Sequence, residues 1–315
     1  MAETSFAHDS QRLPMPSLDQ YQGCLLGLAT GDALGAPHEG GPIERLMWRM
    51  IGRTRAGEAR WTDDTQMALD LAESLLAHGG VSQHELALQF ARSYTWTRGY
   101  GPGAAKILKR IRRGQPWNAV VRAVYPGGSY GNGAAMRAPV LALFYPGDRA
   151  ALVAAAQNSA EVTHAHPLAK AGATIIAVAV QAFLRGASST EALSLTREAC
   201  TSDQFHVRID TAESWLQHKS APDPETVAAR LGNGITAVTS CITALYVAAR
   251  HLDRPFEEMS RFAIAGGGDV DTISAMAGAM WGVVNGCTKL PAVALEERAR
   301  IEEMASLLHA RAMGG

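Results

Sequence analysis

Hydrophobic residues recur at helical spacing along nearly the whole chain, whereas the strict alternation typical of half-buried strands is almost absent. Ala68, Leu71 and Leu75 mark one helix face, and the Gly79-Gly80 pair that follows is a typical stop signal. Similar apolar stripes run through residues 86–94, 152–160, 168–178 and 301–308. This periodicity predicts an all-α protein of about a dozen helices.

One predicted helix, over residues 275–280, is built only from alanine, glycine and methionine. Small residues on a helix surface let neighbouring helix axes approach closely, so we expect this segment to run through the centre of a bundle. No repeat of fixed period and no proline- and serine-rich linker divides the chain. We therefore predict a single compact many-helix domain over residues 18–315, preceded by a disordered tail at residues 1–17.

The composition narrows the class of protein. Of the 315 residues, 47% are hydrophobic and 19% are charged, a balance typical of globular proteins and not of disordered ones. The formal net charge of −1 gives no electrostatic reason to expect nucleic acid or an anionic membrane as a partner. Composition therefore favours a folded globular protein and gives no support for a nucleic acid or membrane partner.

The cysteines and apolar runs bear on the compartment. The four cysteines, at positions 24, 200, 241 and 287, lie far apart, which argues against a disulfide framework or a zinc–thiolate site and fits a reducing compartment. The apolar runs are shorter than the roughly 20 residues that a membrane span needs. Residues 1–17 also lack the hydrophobic run of a secretory signal. We expect a soluble, cytoplasmic protein.

Two acidic clusters stand directly before predicted helices. One covers residues 62–65, Thr-Asp-Asp-Thr, and the other covers residues 269–272, Asp-Val-Asp-Thr, after three glycines. The simpler interpretation is helix capping, since Asp and Thr are favoured N-caps. A cap needs only one oxygen, however, and adjacent carboxylates repel one another unless a cation lies between them. If both helix starts converge, four carboxylates could hold two hard cations such as Mg²⁺ or Mn²⁺.

Three further segments carry candidate chemistry. Glu39 follows the helix-ending Gly35 and Pro37 and could act as acid, base or metal ligand, or could be an ordinary solvated glutamate. The glycine-rich segment 127–137 could present N–H groups to phosphate, but it lacks a Walker lysine and GxGxxG spacing, and glycines often only turn a chain. In the segment Thr-His-Ala-His-Pro at 163–167, a hydrogen-bonding role for the first histidine is favoured over metal ligation.

The ordered set of motifs GDALGAPHEG, WTDDTQMA, GNGAAMR, THAHP and GGDVDTISAMAGAMWG resembles the ADP-ribosylglycohydrolase (DraG-like) family over about residues 20–290. Each motif alone is weak, and their combination in this order is highly specific. The resemblance implies an all-α fold with a binuclear Mg²⁺ or Mn²⁺ centre at helix N-termini. It also implies that an ADP-ribosylated protein or an ADP-ribose derivative is the substrate.

The resemblance assigns roles to individual positions. It implies that Glu39 is the catalytic glutamate beside the metals. It implies metal ligation by the two acidic clusters, through Thr62, Asp63, Asp64, Asp269, Asp271 and Thr272. It implies substrate contacts from two glycine-rich loops and one histidine, namely Gly99, Gly101, Ser129, Tyr130, Gly131, Asn132 and His164.

Within the family, residues 98–103, 128–133 and 231–235 resemble the branch that cleaves O-glycosidic ADP-ribose, either serine-linked, in poly(ADP-ribose) or in O-acetyl-ADP-ribose. The motifs THAHP and GNGAAMR are shared with the arginine-specific branch of the dinitrogenase reductase-activating type. An arginine-specific hydrolase is therefore the alternative within the family. A non-catalytic ADP-ribose-binding protein and a two-metal phosphohydrolase acting on nucleotides are the alternatives from other classes.

Overall fold

A computed structural model describes residues 15–218 and 221–314, and 71% of the structure is helical. This part of the chain contains no β-strand, so the all-α prediction is confirmed. The α-helices are α1 (Leu18–Gly35), α2 (Pro42–Ile51), α3 (Asp63–His78), α4 (Gln83–Ser93), α5 (Pro102–Arg112), α6 (Trp117–Val124), α7 (Pro139–Phe144), α8 (Arg149–Glu161), α9 (Pro167–Leu184), α10 (Ser189–Glu198), α11 (Asp203–Gln217), α12 (Pro224–Leu231), α13 (Ala237–Arg250), α14 (Phe256–Gly266), α15 (Val270–Asn285) and α16 (Arg298–Met313). Helices such as α7 are too short to show a period in the sequence, and for this reason the predicted number was low.

The helix boundaries follow local signals in the sequence. The Ser17 hydroxyl accepts a hydrogen bond from the backbone N–H of Gln20, and the Ser17 N–H donates to the side-chain Oε1 of Gln20, which forms a capping box at the start of α1. The α3 helix ends at the predicted glycine pair, where Gly79 has a φ of 70° and its N–H bonds to the Leu75 carbonyl. The predicted tail lies outside the described residues up to position 14.

A ladder of glycines joins α1 to α15 at the centre of the molecule. Gly23, Gly27, Gly31 and Gly35 are spaced four residues apart and therefore share one face of α1. A Cβ added at Gly27 would lie 2.2 Å from the carbonyl oxygen of Gly278, and at the other three positions it would lie 2.0–2.6 Å from the α15 backbone. The two backbones thus touch directly, and the prediction of a central helix rich in small residues is confirmed.

The α9 helix runs beside this central pair and packs against α7, α8, α10, α13 and α15. It has 18 residues with a mean hydropathy of 1.6, so by length and composition alone it could cross a membrane, contrary to the expectation that no segment would be long enough. In this structure 78% of it is buried inside the protein. Burial against five other helices accounts for its apolar character.

Candidate active site

The start of α3 is fixed by a buried carboxylate from α1. Asp32 is fully buried, and its two oxygens accept hydrogen bonds from the Thr62 N–H at 2.9 and 3.0 Å. It also accepts bonds from the Thr65 N–H at 3.1 Å and the Thr65 hydroxyl at 2.6 Å. A carboxylate at this position satisfies backbone donors at a helix N-terminus that would otherwise lack partners. Asp32 therefore orients the acidic cluster that follows it.

The start of α15 is placed beside the start of α3. Gly268 has a φ of 78°, and a Cβ there would lie 2.0 Å from the Asn233 carbonyl oxygen, so this position requires glycine. The next residue, Asp269, donates its N–H to that carbonyl at 2.8 Å. The Thr272 hydroxyl donates to Asp64 Oδ1 at 3.3 Å. Two acidic clusters separated by some two hundred residues of sequence therefore meet, as the hypothesis of converging helix starts required.

The combined cluster carries a concentration of negative charge. Burial and the neighbouring carboxylates raise the pKa of Asp63, Asp64 and Asp271 well above the usual range of an aspartate. Burial likewise raises the pKa of Asp269, and a hydrogen bond from Asn132 lowers it in part. No lysine or arginine forms an ion pair with these four carboxylates anywhere in the described ranges.

The donor set fits a hard cation. Asp64 Oδ2 is buried and has no hydrogen-bond partner among the described residues, so its lone pairs are available to a cation. One carboxylate oxygen from each of Glu39, Asp269 and Asp271 lies within 4.8 Å of the others. An all-oxygen set of this kind suits Mg²⁺, Mn²⁺ or Ca²⁺ and not the softer metals. The residues present are therefore compatible with metal binding.

Glu39 reaches the cluster from the segment that follows α1. The helix ends at Gly35, a short 3-10 turn covers Ala36–His38, and Glu39 then takes an extended conformation. Burial raises the pKa of Glu39, a hydrogen bond with Asp271 lowers it in part, and the negative charge of Asp269 raises it further. Glu39 is thus a carboxylate at the edge of the cluster, and it remains accessible from the cleft.

The cluster forms the floor of a cleft of about 220 Å³. One wall is the loop of Gly99 and Gly101, which Arg98 anchors by donating to the Trp61 carbonyl at 2.9 Å and pairing with Glu296 at 2.5 Å. Gly101 is the N-cap of α5 and leaves the first N–H groups of that helix without a side-chain cap. Such an N-terminus is a favourable place for an anionic group.

The opposite wall is the glycine-rich loop with His164. Gly131 and Gly133 lie against the His164 ring, and a Cβ at Gly133 would be 2.6 Å from the ring atom Cε1. Tyr130 is 55% exposed and packs edge-to-face on His166 with ring centroids 5.7 Å apart. Any side chain at Gly133 would displace the histidine, so this position requires glycine.

Of the predicted site residues, twelve line this one cleft: Glu39, Asp63, Asp64, Gly99, Gly101, Ser129, Gly131, Asn132, His164, Asp269, Asp271 and Thr272. Thr62 is buried and does not line the cleft; it is the N-cap of α3, and its hydroxyl accepts from the Asp64 N–H. Tyr130 lies on the surface beside the cleft. Asn132 also supports the cluster, since its amide donates to Asp269 Oδ2 at 2.5 Å and to the Ser240 hydroxyl at 3.0 Å.

The chain is similar to known proteins over nearly its whole length. A family model described as ADP-ribosylglycohydrolase matches residues 14–314. The chain belongs to the ADP-ribosylglycohydrolase family. The ADP-ribosylhydrolase ARH3 proteins of Homo sapiens and Bos taurus are both 32% identical over 320 residues, covering 87% of this chain and 88% and 87% of those proteins. A solved structure titled "ADP-ribosylglycohydrolase-related protein complex" has a TM-score of 0.72 and 31% identity, and covers 94% of this chain and 99% of that one.

Membership of the ADP-ribosylglycohydrolase family confirms the resemblance seen in the sequence motifs and shows that the protein is a hydrolase acting on glycosidic ADP-ribose linkages. The family is metal-dependent, and the acidic cluster could bind metal. A larger cavity of about 570 Å³ lies between the end of α1, the α2 helix and residues 292–294, and no carboxylate lines it. The cleft with the acidic floor is therefore the candidate active site.

Three residues that shape this ADP-ribosylglycohydrolase site have no role among the predictions from sequence. Asp32 anchors the start of α3. Arg137 and Thr163 are both buried and bond to each other behind His164. All three fall inside the quoted motifs, but no local signal distinguishes a buried supporting residue from one that faces the ligand, because both are polar residues in glycine-rich surroundings.

Proposed function

We propose that this ADP-ribosylhydrolase uses two Mg²⁺ or Mn²⁺ ions to cleave O-linked ADP-ribose, as in serine-linked ADP-ribose, poly(ADP-ribose) or O-acetyl-ADP-ribose. The observation that carries the proposal is the meeting of two acidic helix starts and Glu39 in one cleft between glycine-rich loops. The O-linkage is supported by the motifs at 98–103, 128–133 and 231–235. It is supported further by the similarity to the vertebrate ARH3 proteins.

The metal ions would be held by Thr62, Asp63, Asp64, Asp269, Asp271 and Thr272. When bound, such ions supply positive charge that polarises and orients hydroxyl groups or water. Asp32 and Asn132 keep the ligands in place, the first by anchoring the start of α3 and the second by bonding to Asp269. Deleting either support is expected to weaken binding of the metal without removing a ligand.

Glu39 performs the proton transfer in this proposal. It either donates a proton to the leaving oxygen or accepts one from the attacking water, and both roles require a carboxylate at the edge of the cleft. A second carboxylate of the kind that ordinary glycosidases use is not free, because the aspartates of the cluster are committed to the metal. Glu39 is therefore the one carboxylate of the site to which we assign the proton transfer.

The two walls of the cleft hold the rest of the ligand. The uncapped N-terminus of α5 at Gly101, and Ser129 and Gly131 on the opposite wall, would face a diphosphate. The exposed ring of Tyr130 offers a face on which an adenine can stack. His164 contacts the ribose side. A ligand that combines negative charge, an aromatic base and hydroxyl groups matches these surfaces, and ADP-ribose has all three.

An arginine-specific activity is the second candidate. The motifs shared with the arginine-specific branch are part of the cleft itself, since Gly131, Gly133, Thr163 and His164 all line it. The two candidates use the same metal site and the same ADP-ribose contacts, and they differ only in the bond that is cleaved. A direct comparison of linkages therefore separates them.

The test measures ADP-ribose release, with Mg²⁺ present, from two peptides of matched sequence that carry ADP-ribose on serine or on arginine. Release from the serine peptide alone is expected, and a chelator should abolish it. Release from the arginine peptide alone would overturn the O-linked assignment and leave the metal site intact. Binding of ADP-ribose with no release from either peptide would favour a binding protein over an enzyme.

A further inference from the structure

Arg137 is a fully buried arginine whose guanidinium group lies behind the cleft wall. It donates to the Gly133 carbonyl at 2.7 Å, the Ser159 carbonyl at 2.8 Å and the Thr163 hydroxyl at 3.1 Å, and it stacks over Phe90 at 4.8 Å. It forms no ion pair within the described ranges. A buried charge without a carboxylate partner is costly, so its retention here calls for a function.

The bond to Thr163 fixes the direction of the next hydrogen bond. A guanidinium group can only donate, so the Thr163 oxygen must accept from Arg137. The other partner of that oxygen is His164 Nδ1 at 2.8 Å, and no other acceptor for the hydroxyl hydrogen is found in the described part of the chain. Thr163 is buried, so a reversed bond would leave its hydroxyl hydrogen without an acceptor. The Thr163 hydroxyl therefore donates to Nδ1.

We propose that Arg137, acting through Thr163, is a positioning residue that holds His164 in the neutral tautomer with its proton on Nε2, so that Nε2–H donates to an oxygen of ADP-ribose. Once Nδ1 accepts a hydrogen bond, the proton of a neutral imidazole must be on Nε2. The inference rests on the proposed function only for the identity of the ligand.

The surroundings of the ring support this role. Nε2 has no hydrogen-bond partner in the described residues, and His164 lines the cleft. The ring is held against Gly131 and Gly133, so it has little freedom to rotate away. Burial, and then the charge of Arg137, lower the pKa of His164 to about 3, which keeps the imidazole neutral near physiological pH. A neutral ring with one fixed donor selects an oxygen acceptor, such as a ribose hydroxyl or a phosphate oxygen.

Nitrogen-15 NMR of the histidine rings tests the tautomer directly. The full chain, labelled at histidine and kept in Mg²⁺, is compared with Thr163→Val, which removes the hydroxyl but keeps the shape, and with Thr163→Ser, which keeps the hydroxyl. The His164 signals are assigned by their loss in His164→Gln. Affinity for ADP-ribose is measured by calorimetry on the same samples.

The wild type and Thr163→Ser should show His164 with the proton on Nε2. Thr163→Val should show a mixture of tautomers, and its affinity for ADP-ribose should fall roughly two- to tenfold, the loss expected for one hydrogen bond. A proton on Nδ1 in the wild type, or an unchanged tautomer and affinity in Thr163→Val, would overturn the proposal. If the wild type did not bind ADP-ribose, the proposed function would fail, while the NMR spectra would still decide the tautomer.

Discussion

At the scale of single residues, Glu39 differs from the other carboxylates of the cleft in the element that carries it. The aspartates sit at helix starts, whereas Glu39 lies in an extended segment after α1. Replacement by glutamine keeps the shape and removes the proton transfer, so Glu39→Gln should lower turnover by about 10²- to 10⁴-fold while it retains ADP-ribose binding. The rate of ADP-ribose release measures the loss of turnover, and calorimetry measures the retained binding of ADP-ribose. Glu303→Gln, at an exposed position of α16, is the control and should behave as wild type.

The metal assignment is tested at Asp271. Its carboxylate is buried among Glu39, Asp64 and Asp269, and it would lose the charge that attracts a cation in Asp271→Asn. The Mg²⁺ or Mn²⁺ affinity measured by calorimetry should fall by at least tenfold, because changing a residue that only hydrogen-bonds to a metal ligand commonly costs that much. Asp253→Asn, whose side chain is 82% exposed, should leave the affinity unchanged. Equal metal affinity in both variants would remove Asp271 from the site.

Sequence patterns located the carboxylates of the cleft better than they located the residues that support them. The carboxylates at 63–64 and at 269 and 271 are close in sequence, and the repulsion between neighbouring carboxylates predicts that a cation binds there. The anchoring of α3 by Asp32 could not be predicted, since it depends on how α1 passes the start of α3. The contact of Asn132 with Asp269 was missed for the same reason, because the two are far apart in sequence.

At the scale of elements, the glycine ladder of α1 sets the distance between the two sides of the site. The α1 helix carries Asp32 and leads to Glu39, whereas Asp271 lies in the first turn of α15. The contact of α1 with α15 therefore fixes the distance between Glu39 and Asp271. In Gly27→Ala the new methyl group would clash with the Gly278 carbonyl. The free energy of unfolding should therefore fall by about 1–3 kcal/mol, despite the better helix propensity of alanine.

Thermal unfolding measures this effect. The control is Gly147→Ala, where the nearest atom to a new Cβ is Arg185 Nη1 at an ordinary 3.7 Å. The control should unfold at nearly the wild-type temperature. If Gly27→Ala did so as well, the close contact of the two backbones would be disproved.

Helix existence and helix ends were largely readable from the chain. The apolar stripes and the stop at Gly79 predicted α3, and the small residues at 275–280 predicted the central position of α15. The GxxxG-like spacing on α1 indicates a face that can approach another helix closely, but the pattern of one helix does not identify the helix that packs against it. Short helices such as α7 also escaped, since six residues contain too few turns to establish a period.

At the scale of the whole molecule, a buried acid away from the cluster makes stability depend on pH. Asp70 on α3 is fully buried and accepts hydrogen bonds from Ser93 and Gln66, and burial raises its pKa from 3.8 to about 7. Between about pH 4 and pH 7 the folded protein therefore keeps a proton that the unfolded chain has lost. The free energy of unfolding contributed by this group falls as the pH rises through that window.

The prediction is a comparison of thermal unfolding between the wild type and Asp70→Asn at several pH values from about 5 to 8. The variant lacks the ionisable group, so its stability relative to the wild type should increase as the pH rises. Both proteins keep the same acidic cluster, and its titration cancels in the difference. Unfolding temperatures that run parallel over this range would show that Asp70 does not retain a proton when folded.

The overall architecture could be anticipated in class but not in detail. The order of motifs indicated the family, and the all-α fold followed from periodicity. The sequence alone could not determine whether residues 62–65 meet residues 269–272, because this contact depends on how α1, α3 and α15 pack together.

We infer that the cleft hydrolyses a glycosidic bond of ADP-ribose with the help of metal. Mass spectrometry of both products, after incubation with a mixture of serine- and arginine-linked ADP-ribosyl peptides and Mg²⁺, tests this inference. We predict free ADP-ribose and an unmodified peptide, with no reaction when a chelator replaces the metal. Release of AMP, with phosphoribose left on the peptide, would show phosphohydrolase chemistry and contradict the account, and so would full activity in the chelator.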